Sequence, residues 1–241
     1  MLLHNNPLFM TTQQQDLIYR MQQSGCAFQF SVKKWPQATA PTEADQQAAV
    51  IAFFENVIRP QYDDLRQKVH TENLHKLHNI RAHPNPKSHQ QDQQRLLKKM
   101  ADDDAHFTLR LMPERMSCAP LPPLSAQQAY DEMSLNHVEY TQNWGAQLCH
   151  QFIHPPYELQ NIDEAARLAL WLDFCDLCGL NQSQAKILDW VSHQAYADDF
   201  QENSLFSNYF DEGLDWWGVW CLSVYNPDNQ TLAVITASEN D

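Results

Sequence analysis

The stretch DEGLDWWGVWCLSVYNPDNQTLAVITAS, residues 211–238, decides the fold class. Two apolar runs, WWGVWCLSVY and TLAVITA, flank NPDNQ, where Pro227 and Asp228 suit the centre of a turn. Successive side chains alternate between the faces of a strand. Trp216, Trp220, Leu222 and Val224 are therefore expected on one face, and Trp217, Val219, Cys221 and Tyr225 on the other. A strand apolar on both faces has to be covered on both, or else its exposed face binds something. The pattern predicts an antiparallel hairpin inside a core, with Trp217, at the start of the first strand, open as either core or exposed anchor.

The rest of the chain reads mainly as helix. Only five glycines stand in 241 residues rich in Gln, Ala and Leu, a composition that favours helix over strand. TTQQQDLIYRMQQ predicts a first helix capped by Thr11 or Thr12 and ended by Gly25, followed by AFQFSV as a short strand. Thr42 and Asp45 resemble a capping pair at the head of a helix whose apolar face runs from Val50 to Ile58. Pro60 ends or kinks that helix, and HPNPKS separates two further helical stretches. HFTLRLM, residues 106–112, alternates as a short strand would. The proline-rich PERMSCAPLPPLS then reads as a connector. Beyond it the pattern predicts a long helix from Ser125 to His154, a helix capped by Asn161 and ended by Gly179, and another through QSQAKILDWVSHQAY. The expected architecture is α+β and predominantly α-helical: a multi-helix bundle of about seven helices with a small antiparallel sheet that includes the C-terminal hairpin. It is expected as a single domain over residues 1–241, with a subdomain split at 113–124 as the alternative.

Composition excludes several function classes. With 43% apolar and 11% aromatic residues the chain can bury a core despite its net charge of −14. The apolar run AAVIAFF is far too short to span a bilayer, and MLLHNNPLFM lacks the basic and apolar regions of a signal peptide, so a cytoplasmic chain with no membrane contact is expected. The six cysteines are then expected reduced and mostly buried. Neither GxGxxG nor GxxxxGK[ST] occurs, and no GxSxG marks a serine nucleophile. No cofactor is expected.

Two constellations invite a metal reading. HTENLHKLHNIRAH places Glu72 and His75 three residues apart, with His78 close behind, so a helical metal-binding protein or metalloenzyme using the His70–His83 region is an alternative function. Di-iron bundles, however, need that unit twice with two further carboxylates, and the chain offers it once. HQFIH sets His150 and His154 one helical turn apart without the glutamate that a zincin uses as base. CDLC, with Cys175 and Cys178, lies near a helix C-terminus on an apolar stripe, where core packing rather than redox chemistry is expected.

Charge is the strongest signal. Residues 1–120 hold 14 Lys and Arg against 12 Asp and Glu, whereas residues 121–241 hold 2 against 18. Nucleic-acid binding needs a basic stripe that the second half lacks. Its acidic groups instead interleave with aromatics in YADDFQENSLFSNYFDEGLDWW, residues 196–217. Interfaces combine aromatic anchors with charge that steers a complementary partner. The expected partner-binding set is Asp198, Asp199, Glu202, Tyr209, Asp211, Glu212, Asp215, Trp216 and Trp217. In charge, size and compartment the chain resembles bacterial toxin-immunity proteins, a likeness of general character carried by no sequence motif. That resemblance implies a non-enzymatic inhibitor that occludes the basic active site of a toxin or effector. An adaptor or chaperone for a secreted effector is a further alternative and differs only in what the bound partner does.

Overall fold

The computed structural model describes residues 11–82, 86–135, 143–156, 158–197, 200–201, 204–211, 213–215 and 217–238. The fold is α+β, with seven helices of ten residues or more among the described residues and one antiparallel sheet. It divides into two units: a hairpin unit formed by residues 52–110, and a sheet unit formed by residues 6–51 and 111–241.

In the sheet unit, α1 (Thr12–Ser24) begins with a capping box in which Thr11 and Gln14 satisfy each other's backbone N–H, and ends at Gly25. It leads into β1 (Gln29–Lys34) and then α2 (Glu43–Phe53), headed by a reciprocal pair: Thr42 N–H donates to Asp45 Oδ2 at 2.9 Å and Asp45 N–H to Thr42 Oγ at 3.2 Å. After the hairpin unit come β2 (Ala119–Leu121), α5 (Ala126–Leu135), α6 (Trp144–Ile153), α7 (Glu164–Cys178), β3 (Lys186–Asp189), the one-turn helix Ser192–Ala195, β4 (Val219–Asn226) and β5 (Thr231–Ser238). The strand order is β1-β5-β4-β3-β2 and every neighbouring pair is antiparallel. β2 lies at the edge, where Pro120, opposite Leu188, has no need of a ladder N–H.

Every residue of β4 is buried, as a strand apolar on both faces requires. One face, with Trp220, Leu222 and Val224, joins Ile235 of β5 and Phe30 of β1 in a core roofed by α1, α6 and α7. Phe152, Trp171 and Phe174 meet there with ring centroids 4.8–6.1 Å apart, and the Trp171 indole N–H donates to Ala126 O at 2.9 Å. The opposite face is closed by polar contacts: Trp190 Nε1 donates to Ser223 Oγ (2.8 Å), which donates to Gln46 Oε1 on α2 (2.9 Å).

Four expectations are corrected. The segment QSQAKILDWVSHQAY is not a helix: Lys186–Asp189 pairs with both β2 and β4, and only Ser192–Ala195 turns helically. The helix predicted from Ser125 to His154 is two, because Asn143 caps a fresh start by accepting the Gly145 N–H. Asp163, not Asn161, caps α7, through its side chain and the Ala166 N–H at 2.8 Å. Of HFTLRLM, only Leu111 makes a bridge, to Ser207. The stretch 113–124 lies within the sheet unit and supplies β2 to it.

In the hairpin unit, Pro60 has no N–H for the carbonyl four residues earlier, and the ladder slips into a π turn over Phe54–Ile58 before α3 (Arg59–Ala82). α3 packs against α4 (Pro86–His106). Between them Asn73, 2% exposed, donates to Asp103 Oδ2 at 2.8 Å while Lys99 Nζ reaches Asp103 Oδ1 at 2.7 Å. The Lys99 and Asn73 contacts, in that order, hold the Asp103 carboxyl below its ordinary range.

Candidate functional site

The acidic aromatic segment packs more of its rings inward than its composition predicts. Phe206 and Phe210 are buried, their centroids 5.3 Å apart, and Tyr209, 9% exposed, packs edge-on against Phe210 at 5.1 Å. Tyr209 is thus part of the interior and not an exposed anchor. Asp211 is half-buried. Asp198, Asp199, Glu202, Glu212 and Trp216 lie outside the described residues, as does the side chain of Asp215.

Trp217 does not follow the face expected for it. Gly218 stands at φ 130, a conformation reserved for glycine, and breaks the strand alternation one residue after Trp217. The indole consequently packs on the same core as Trp220, with its centroid 6.0 Å from that of Phe28, and its Nε1 donates to His154 O at 3.0 Å. Gln151 ties the corner by donating to Trp217 O and accepting from Trp220 Nε1, and a Cβ on Gly218 would collide with the Gln151 amide.

Among the described aromatics of this segment, Tyr196 is 59% exposed, and its hydroxyl accepts the Val219 N–H at 3.3 Å. Burial of its phenol end raises the hydroxyl pKa, opposed by the Val219 bond. The ring is held by its buried end and presents its remaining surface outward. Nothing in local sequence separates Tyr196 from Tyr209; the β3 pairing that precedes it and the Val219 contact decide which is exposed.

The metal constellations do not assemble. Glu72, His75 and His78 are all exposed on α3, and no group of three His, Cys, Asp or Glu among the described residues is placed to hold a metal ion. The rings of His150 and His154 lie tilted at 43° with centroids 4.9 Å apart, beside an open groove of about 650 Å³ that Tyr130, Ile162 and Arg167 also line. His154 Nδ1 lies 3.0 Å from Glu158 Oε2, and Arg167 is anchored at 3.1 Å to Leu159 O. Burial, reinforced by His154 and opposed by Glu158, lowers the His150 pKa. Cys175 and Cys178 are buried in the core and burial drives both thiols well above their ordinary pKa, so CDLC is packing and not a redox pair.

The sheet brings together one cluster that no local motif announces. Asp189 ends β3 at 1% exposure, with His193 one turn beyond it, and the β2–β3 register, which pairs Ala119 with Asp189, carries Ser117 alongside. His193 Nε2 lies 2.9 Å from Ser117 Oγ.

The chain matches no protein-family model, no curated protein and no solved structure. Among the described residues, no helix is long and apolar enough to cross a membrane.

Proposed function

We propose that this protein is a cytoplasmic binder of a basic protein partner, an immunity-type inhibitor that acts on a toxin or effector non-enzymatically, by covering its cationic active site. The observation that carries the reading is the segregation of charge. The sheet unit holds 22 Asp and Glu against 6 Lys and Arg, whereas residues 52–110 hold 8 against 10. A field of one sign over one unit steers an oppositely charged partner and repels nucleic acid. Tyr196, exposed and hydroxyl-anchored within residues 196–217, supports the reading as an aromatic available at the surface.

The test is capture from the native host's lysate at low and moderately high salt, with bound proteins identified by mass and then repurified for kinetics. The reading expects one basic protein, retained at low salt and weakened at high salt, whose association slows when Asp198 and Asp199 are both reversed to Lys. Capture that is insensitive to salt and to that reversal, or no specific capture from cells that express the neighbouring genes, overturns it.

A further inference from the structure

The cluster at the end of β3 has the connectivity of an activated nucleophile. A carboxylate as deep as Asp189 needs donors, and the turn after it supplies four. Val191 N–H (3.1 Å) and Ser192 N–H (2.9 Å) reach Oδ1, while His193 N–H (2.8 Å) and the Ser192 hydroxyl reach Oδ2. The carboxylate is thereby fixed with Oδ2 3.4 Å from His193 Nδ1. That nitrogen is buried and makes no hydrogen bond, and the carboxylate is the charge it faces. The proton of a neutral imidazole is favoured on Nδ1, beside the carboxylate, which leaves Nε2 as the acceptor for the Ser117 hydroxyl at 2.9 Å. The Nδ1–Oδ2 separation is an ion-pair distance, and contacts of this kind tighten when substrate is bound. Ser117 itself is exposed, and the Gln194 side-chain amide donates to its Oγ. The neighbouring Cys118 does not compete: burial and Glu43 push its thiol up to about 11, so it stays protonated.

We propose that Ser117 is a nucleophile toward acyl esters, with His193 as its general base and Asp189 as the positioning residue. Ser117 Oγ bonds to the ester carbonyl carbon as its proton passes to His193 Nε2. The carbon–oxygen bond to the alcohol then breaks, and the imidazolium returns the proton to the departing oxygen. Water repeats the sequence on the acyl-serine, releasing the acid and restoring Ser117. The Gln194 amide, already against Oγ, is the donor within reach of the oxyanion. The acidic surroundings, Glu43 included, select neutral or cationic esters over anionic ones. The site shares none of the residues 196–217 on which partner binding is placed, so either reading can fail without the other.

The test is labelling of the full chain with a fluorophosphonate on a neutral linker, in which the Oγ–P bond forms, fluoride leaves and the proton goes to His193. Rates are read by intact mass, the site by peptide mapping, and turnover with p-nitrophenyl acetate. Stoichiometric modification at Ser117 is expected. It should be absent in Ser117→Ala and about 100-fold slower in His193→Gln. Asp189→Asn, scored per folded molecule, should be slower by a similar factor and should change the pH dependence of labelling, which a purely structural role would leave as in the wild type. A folded wild-type protein that leaves Ser117 unmodified overturns the proposal, as does an undiminished rate in folded His193→Gln. Ser117 and His193 would then be a hydrogen-bonded staple between β2 and the turn after β3.

Discussion

The hairpin unit and the sheet unit are built on different principles. In the sheet unit, a strand buried along its whole length draws three long helices onto one face and a polar network onto the other. The hairpin unit is two long helices whose contact includes an Asn73–Asp103–Lys99 network, while Leu74 and Leu97 stand 46% and 47% exposed. All seven tryptophans and all six cysteines belong to the sheet unit. So does the entire excess of negative charge. Net charge of one sign opposes a compact state through self-repulsion, a load that the sheet unit carries over a dense apolar interior and the nearly neutral hairpin unit does not carry.

That contrast can be broken most forcefully in the core. Trp171→Ala removes a fully buried ring and the bond to Ala126 O, and should cost about 3–5 kcal/mol in urea denaturation followed by tryptophan fluorescence. Leu77→Ala, at the buried side of α3, should cost about 2 kcal/mol, seen by circular dichroism and not by the tryptophans, which residues 52–110 lack. Equal costs would mean that the two interiors are packed alike. Gly218→Ala forces a side chain into a positive-φ position against Gln151 and should cost about 1–2 kcal/mol, with a change in near-ultraviolet dichroism from Trp217 and Trp220. Asp163→Ala, which removes the α7 cap, should cost about 1 kcal/mol by the same denaturation.

Acid acts on both units with the same sign and separates them by range. His150 in the sheet unit has a pKa below its ordinary 6.5, so the unfolded chain binds the proton more readily. Its contribution to stability is complete above 6.5 and is lost as pH falls below it, and His150→Gln should flatten that slope. In the hairpin unit, the Arg59 bond holds Glu55 low, and Lys99 with Asn73 holds Asp103 low. Those carboxylates contribute fully above their ordinary values of 4.5 and 3.8 and lose their contribution as pH falls below them. Helix loss in the hairpin unit above pH 5 would contradict the assignment.

Features governed by a few neighbouring residues were legible in the sequence. A Thr11 cap, Thr42 with Asp45, and Gly25 at the end of α1 satisfy backbone groups within one turn, and the 219–238 hairpin carries its own turn. What needed partners far along the chain was not legible. AKILD is as good a helix segment as a strand until β4 pairs with it. The prolines around Ala119–Leu121 conceal an edge strand that tolerates them. Of the candidate site, the acidity was plain from composition, but the burial of Tyr209 and the exposure of Tyr196 follow from packing. Ser117 and His193 are brought together by strand register alone.

The measurement that reaches the central claim most directly is the association rate of the captured basic partner as a function of ionic strength, for three chains: wild type, Asp198→Lys with Asp199→Lys, and Lys98→Glu in the hairpin unit. A steep fall with salt is expected for wild type and Lys98→Glu alike, and a slower, flatter dependence for the double reversal. A double reversal that matches wild type, or a Lys98→Glu chain that alone departs from it, would contradict the placing of partner recognition on the acidic unit.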